Sequence, residues 1–419
     1  MKKTITTTES IPNEQLRQQK PFQKELKNQA YVLHVGCSGF PLGLAAIFRI
    51  RLTLKAISRS GFRTLAISKR NLLDRSHLSK VGRTDEVAYV NTSVYHKRPD
   101  SFVGRRLDQI CGFLGELFLM LKKKQEIHSL IFYGSSFTEL LYYRFISKVL
   151  GFKLFVQYVE YRSSFEHRNS LFLKLNDYLF DHHLSQFCDG ILAISEFLKS
   201  KVRELDRNAS IFKLPAICDY DNFPKEKAKV EYPYIMYCGT MYYHEIIAFI
   251  IDVFNKLKKQ SNYKGKLLIF GGPHRDPYTQ IIRQKIEESD YSEDIIFKGK
   301  VKTKILCSYY KSADLLLIPL RNSIQDVARF PHKIGEYTAS GRPFLSTRVG
   351  EVDHYFEDYR DALLAEEYSV EAYYQKLAEV IDHPEWLDEI GKKGYQTGRK
   401  SFHYATFSEG LGRYLRECE

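Results

Sequence analysis

Two charged side chains late in the chain, Lys333 and Glu336, stand three residues apart. On a helix that spacing puts both on one face. A helix is expected over 331–340, with Lys333 in its first turn, where an ammonium can point at a phosphate near the helix start. Glu336 could accept both hydroxyls of a ribose, as carboxylates do in nucleotide sites. The same pair reads equally as a local surface ion pair, contributing roughly a few tenths of a kcal/mol. Two glycine loops could reach the same edge. Gly239-Thr240 follows the apolar run 234–238, and Gly271-Gly272-Pro273-His274-Arg275 follows 266–270. Glycine permits close backbone approach, and a helix start beyond it favours an anion. Arg275 could reach an anionic group or be a plain surface charge. In the first half, Glu160 closes the run 153–159, at the edge of a parallel strand where sites collect; an ordinary loop carboxylate is the alternative.

Other candidates carry less. Gly36, Gly39 and Gly43 form a glycine-rich loop, but the spacing is not that of a dinucleotide turn and no acid closes the next strand. The run Asp181-His182-His183 has no metal-site spacing, because adjacent residues diverge around a helix, and no metal site is expected.

The elements that must position these residues alternate. Strands are expected at 31–35, 62–68, 128–134, 153–159, 190–194 and 211–214. Helices are expected at 44–60, 105–124, 135–150, within 163–187, and at 196–205 with Ser195 as N-cap. The stretch 70–100 reads as polar and irregular. A charged, proline-bearing segment at 219–232 reads as a linker. The pattern then restarts, with strands at 234–238, 266–270, 294–298, 314–318 and 343–347. Helices fall at 244–259, 277–289, 302–312 and 331–340, and a helix-rich tail begins at 370. The expected fold class is α/β, two facing Rossmann-like doubly wound domains with a helical C-terminal tail. The ranges are a polar arm over 1–29, an acceptor-side domain over 30–218, the linker, a nucleotide-binding domain over 233–400, and a last helix in 401–419 packing back on the first domain.

Bulk properties agree with that plan. The 419 residues suffice for two domains, and 44% hydrophobic content supports a large core. Seven dispersed cysteines fit a reducing compartment rather than a disulfide scaffold. No apolar signal segment or membrane-spanning run is visible, which points to a cytoplasmic protein. The formal charge of +13 suits a Lys-rich soluble surface, an anionic substrate or an anionic membrane. No nucleic-acid-binding motif is present, and no nucleic-acid partner is expected.

The segment Pro331, Lys333, Glu336, Tyr337, Ala339, Gly341, Pro343 resembles the Pro-x-Lys-x-x-Glu-Tyr-x-Ala-x-Gly-x-Pro run of retaining GT-B glycosyltransferases of the group 1 (family 4) type. The preceding Ala313-Asp314-Leu315 with Pro319 and the following Gly350-Glu351 fit as well. The likeness covers roughly 230–400, and more loosely 31–215 through the loop Gly36–Gly43 and Ser195-Glu196-Phe197. Two departures stand out. Many members carry a second Glu eight residues before the equivalent of Glu336, where this chain has Ala328, with Asp326 and Arg329 nearby. His244 and Glu245 stand where a Lys is common.

The resemblance implies transfer of a sugar from a nucleoside diphosphate to an acceptor hydroxyl with retention. Glu336 would bind the donor ribose, and Gly239, Thr240 and Gly272 would lie by the diphosphate, with Gly350 and Glu351 near the donor. Arg275 and Lys333 would offset the charge of the departing diphosphate. The acceptor, a glycan or lipid-linked molecule, would sit near Gly39, Phe40 and Glu160. No cofactor or metal is implied, the nucleotide sugar being a substrate. Peripheral contact with an anionic membrane on its cytoplasmic side is a further expectation. A noncatalytic nucleotide-sugar-binding or scaffold protein of the same fold is the alternative, supported by Ala328.

Overall fold

The computed structural model describes residues 30–43, 45–71, 73–165, 168, 170–272 and 277–418. The arm expected over 1–29 lies outside them. The first lobe is built from Tyr31–Cys37 (β1), Ala45–Arg59 (α1), Arg63–Ser68 (β2), Val81–Thr84 (β3), Val87–Asn91 (β4), Phe102–Lys122 (α2), Ile127–Phe132 (β5), Phe137–Leu150 (α3), Lys153–Tyr158 (β6), Leu171–His183 (α4), Gly190–Ala193 (β7), Glu196–Leu205 (α5) and Ile211–Lys213 (β8). The second begins with Tyr234–Cys238 (β9), His244–Gln260 (α6), Lys266–Phe270 (β10), Pro277–Glu287 (α7), Ile295–Gly299 (β11), Thr303–Ser312 (α8) and Leu315–Leu317 (β12). It continues with Ile324–Ala328 (α9), His332–Ser340 (α10), Phe344–Thr347 (β13), Glu351–Tyr355 (α11), Leu363–Ala365 (β14), Val370–Ile381 (α12) and Pro384–Phe402 (α13).

The first sheet runs β3-β4-β2-β1-β5-β6-β7-β8 and the second β11-β10-β9-β12-β13-β14. Among the described residues, only the β3–β4 pair is antiparallel. In each sheet the strand order reverses beside its first strand, between β1 and β5 and between β9 and β12. Connections there diverge to opposite faces, leaving a crevice at the strands' C-terminal ends. The sequence produces this plainly in the second lobe. YIMYC and KLLIF are apolar runs buried almost throughout, as strands covered on both faces must be. Helix α6 carries Glu245 in its first turn and Lys258 and Lys259 in its last, matching the helix dipole.

One apolar cluster runs from β1 and β5 through Ala216, Cys218 and Tyr220 into β9, β12 and Phe402. The chain crosses between lobes twice. After α13, Cys218 bridges to His403. The final helix Ser408–Glu417 (α14) then lies on the first lobe, where the Tyr414 hydroxyl donates to the Ser210 carbonyl (2.8 Å) and accepts from the Ile191 amide (2.9 Å).

The stretch 70–100 is not wholly irregular. It contains the hairpin β3–β4, whose turn holds Asp85 at φ 48°. Strand β3 is short, polar and half exposed at the sheet edge, so it carries no apolar signal. The short elements α9, α11 and β14 also lie where no periodic run is long enough to read.

Candidate active site

The loops after β9 and β10 are packed back to back. The Gly239 amide donates to the Phe270 carbonyl at 3.1 Å. Gly271 sits at φ 140°, and a Cβ there would lie 1.8 Å from the Gly239 carbonyl oxygen. Gly272, at φ 61°, would bring a Cβ within 2.2 Å of Met241 Cγ. Only glycines let the two loops close onto one another while their backbones face the crevice. The Thr240 hydroxyl accepts from the Tyr242 amide and caps the turn leading into α6. Arg275 lies outside the described residues.

Helix α10 begins at the neighbouring edge with Pro331 as N-cap and no side-chain cap, so its first amides point outward without one. Lys333 Nζ donates to Glu336 Oε2 (2.7 Å) and to the Tyr310 hydroxyl (2.9 Å). Desolvation works against the ammonium, but the Cys238 sulfur and the Glu336 carboxylate more than offset it, holding Lys333 above its ordinary range. The two side chains are about a quarter exposed, at 25% and 24%. They form a fixed charged pair at the crevice mouth with part of each group open to solvent.

The two lobes meet beside this edge. Ser195 Oγ caps α5 at the Leu198 amide and donates to the Ala328 carbonyl at 2.6 Å. Glu351 Oε1 accepts from the Glu196 amide at 2.6 Å, so a carboxylate of the second lobe caps a helix of the first. Lys213 Nζ ties the contact together, 2.8 Å from Glu351 Oε2 and 3.2 Å from Glu196 Oε1. Glu351 is thus engaged between the lobes. Gly350 takes φ 56°, and a Cβ there would also press on the Val327 carbonyl oxygen at 2.9 Å.

Ala328 stands where a second acid is common, and a different set of charges surrounds it. Fully buried Asp326 accepts from the Arg321 amide (2.9 Å) and Nε (3.1 Å), and pairs with Arg329 Nη2 (2.5 Å). The Arg329 guanidinium lies over the Tyr243 ring at 4.3 Å. From the first lobe, Glu160 pairs with Arg162 at 3.2 Å. Burial raises the Tyr243 hydroxyl of the second lobe, Arg329 works against that, and the Glu160 charge adds a smaller raising effect.

Arg49 of α1 is fully buried beneath the junction. It donates to Gln157 Oε1 (3.1 Å) and to the carbonyls of Pro215 (2.7 Å) and Leu214 (2.6 Å). No carboxylate pairs with it among the described residues. Desolvation, together with the charges of Arg49 and Lys333, pulls His332 down to about 3, so this imidazole is neutral at ordinary pH. Arg49 therefore leaves a buried positive charge without a carboxylate beneath the junction.

The structure thus gathers Gly239, Thr240, Gly272, Lys333 and Glu336 on one edge and uses Gly350 and Glu351 at the lobe contact, while Glu160 is paired with Arg162 on the first lobe. Arg49 and Tyr243 were not singled out from sequence. An arginine inside the apolar helix AAIFRIRLTLKAISR was the available signal for the first. Asp181 and the two following histidines form no metal cluster: Asp181 accepts from Tyr158 OH and the Ser163 amide, while His182 stacks on Tyr178. Asp219, Asp221 and His403 do converge, but Lys55 and Arg399 already hold the two carboxylates.

Residues 219–397 match the family described as glycosyl transferases group 1. The chain has the GT-B fold, and its second lobe carries that family's sequence pattern. No curated protein matches it in sequence. Among solved structures, sucrose-phosphate synthase from Thermosynechococcus elongatus aligns with a TM-score of 0.71 at 14% identity, covering 93% of this chain and 99% of that one. A glycosyltransferase from Rickettsia africae gives 0.66 at 14%, over 93% and 99%. Anabaena HepE in complex with UDP-glucose gives 0.67 at 13%, over 92% and 99%. These likenesses extend the GT-B fold through the first lobe, beyond the reach of the family match. Among the described residues, no helix is long and apolar enough to cross a membrane.

Proposed function

We propose that this protein transfers a sugar from a nucleoside diphosphate sugar to a hydroxyl of a glycan or lipid-linked acceptor, with retention of anomeric configuration. The observation that carries the reading is the convergence of the Gly239 and Gly271-Gly272 loops with the Lys333–Glu336 pair at the β9/β12 crevice. The nucleotide ribose is placed on Glu336, whose second oxygen is not held by Lys333. The diphosphate is placed against the uncapped α10 amides and the Gly239-Thr240 loop, with the Lys333 ammonium neutralising charge as it leaves. Arg275 is proposed as a second cation there. Arg49, short of a counter-charge, adds long-range attraction. Glu160 and the first-lobe loop at Gly39 and Phe40 are proposed to face the acceptor. The solved HepE complex, which contains UDP-glucose, supports a nucleotide-sugar donor in this fold. Peripheral contact with an anionic membrane belongs to the same proposal.

The test is calorimetric titration of UDP, GDP and ADP into the wild type and Glu336→Ala. One nucleotide should bind, and the variant should weaken it by about 100-fold, as expected for two hydrogen bonds to a charged acceptor at roughly 1.5 kcal/mol each. Equal affinity in both proteins would refute the role of Glu336. Binding without turnover of any donor sugar would favour the scaffold reading.

A further inference from the structure

Helix α2 is built inside out. Its buried face consists of Gly104, Asp108, Gly112, Glu116 and Met120. Its outer face carries Val103, Leu107, Ile110, Leu114, Phe118 and Leu121, each between 51% (Leu107) and 67% (Phe118) exposed. The spacings of three and four residues make one continuous stripe. The helix cannot roll to bury it. A Cβ on Gly112 would meet the Lys69 carbonyl oxygen at 2.3 Å, and Glu116 is committed to the buried Tyr143 hydroxyl at 2.8 Å. The stripe is about 27 Å long, from Val103 to Leu121 at about 1.5 Å of rise per residue. It continues onto α3, which Phe113 touches through Tyr142 and which exposes Leu141, Phe145 and Val149.

A cavity of about 530 Å³ opens at the N-terminal end of this stripe, lined by Arg70, Arg98, Arg105, Arg106, Ser38 and Asp108 among others. Its charges do not cancel. The Asp108 carboxylate is spent on Ser93 Oγ (2.7 Å) and the Val94 amide (2.9 Å). Arg70 is paired with Glu139 at 3.3 Å. Arg98, Arg105 and Arg106 have no carboxylate partner among the described residues. The cavity sits at the C-terminal ends of β1 and β2, the same sheet edge that carries Glu160 beyond β6. At the other end of the helix stand Lys122 and Lys124.

We propose that α2 lies flat on an anionic lipid surface, and that the arginine cavity takes the phosphate of a lipid embedded in that surface. The apolar stripe enters the acyl boundary and the cations at both ends meet the headgroups, the arrangement of an interfacial amphipathic helix. The cavity opens where the stripe begins, so a phosphate bound there is continuous with a lipid tail lying along α2. Guanidinium groups match a phosphate's oxygens in a way that an ammonium does not. Taking this lipid as the acceptor rests on the transferase reading; the surface and the cavity do not.

The experiment is vesicle flotation of the full chain. It uses vesicles of phosphatidylcholine alone, with phosphatidylglycerol, and with phosphatidic acid at equal surface charge. The wild type should float with both anionic vesicles and not with the neutral ones, and should prefer phosphatidic acid, whose phosphomonoester fits the cavity. Leu114→Glu with Phe118→Glu should weaken binding to all anionic vesicles by about tenfold or more. Arg98→Ala with Arg105→Ala should abolish the preference for phosphatidic acid, and free inorganic phosphate at matched ionic strength should compete for it only partly. All four positions are on the surface, so melting temperature serves as the folding control. The neutral-versus-anionic comparison in the wild type needs no variant. Equal flotation with neutral and anionic vesicles, no flotation at all, or a lipid-free dimer that the Phe118 change dissolves would overturn the lipid docking. Loss of binding without any headgroup preference would overturn the cavity's role. Nucleotide titration tests the donor site separately, so failure of either reading is visible alone.

Discussion

Replacing Glu351 by Ala should loosen the two lobes. Its carboxylate, 4% exposed, accepts from the Glu196 amide and faces Lys213. The hydrogen bond to a charged acceptor contributes about 1.5–3 kcal/mol. Removing one member of a buried ion pair costs about 3–5 kcal/mol. Lys213 keeps Glu196 at 3.2 Å, so the lower end of that range applies. The sum is not additive, because both effects share one group. We expect about 3 kcal/mol, or roughly a 100-fold rise in opening of this contact. Glu351→Gln, which keeps an acceptor but no charge, should fall between. The assay is native-state hydrogen exchange at the start of α5. The Glu196 amide should exchange about 100-fold faster in Glu351→Ala, and small-angle scattering should show a larger radius of gyration. Unchanged exchange at Glu196 with an unchanged radius would refute the contact as a determinant of lobe position.

A buried imidazole and a tight glycine turn give two further outcomes. His34 is fully buried with neither ring nitrogen partnered, and burial with the charge of Arg49 pulls it down to about 3. The unfolded imidazole titrates near about 6.5, so the folded state resists protonation. Its contribution is present above about pH 6.5 and is lost as pH falls toward 3, at up to about 1.4 kcal/mol per pH unit. His34→Phe should flatten that loss in urea denaturation at pH 5 and 7.5; an unchanged slope would contradict it. Gly271→Ala should cost more than about 2 kcal/mol through its φ and its clash with the Gly239 carbonyl. It should also weaken nucleotide binding in calorimetry, whereas intact stability and affinity would show that the loops are not locked together.

The parts legible in sequence were those whose physics is local. The runs 234–238 and 266–270 are apolar and bounded by glycine, and each forms the strand expected of it. Ser195 caps α5 by a contact three residues away. Lys333 and Glu336 pair on one helix face, as their spacing required. What could not be read depends on distant partners. Glu351 meets an amide 155 residues earlier, and Arg49 is anchored by carbonyls more than 160 residues away, at 166 and 165. The β3 strand exists through edge pairing with β4, which leaves no pattern in its own four residues. The stripe on α2 has ordinary helical periodicity, and only the structure shows that it faces outward.

The central claim is sugar transfer from a nucleoside diphosphate sugar with retention. Its most direct test is proton NMR of the full chain incubated with UDP-, GDP- and ADP-sugars and a lipid-phosphate acceptor in vesicles. The account predicts release of one nucleoside diphosphate and appearance of an anomeric signal with the donor's configuration, both lost in Glu336→Ala. An inverted anomeric signal, or no consumption of any donor while nucleotide still binds, would contradict it.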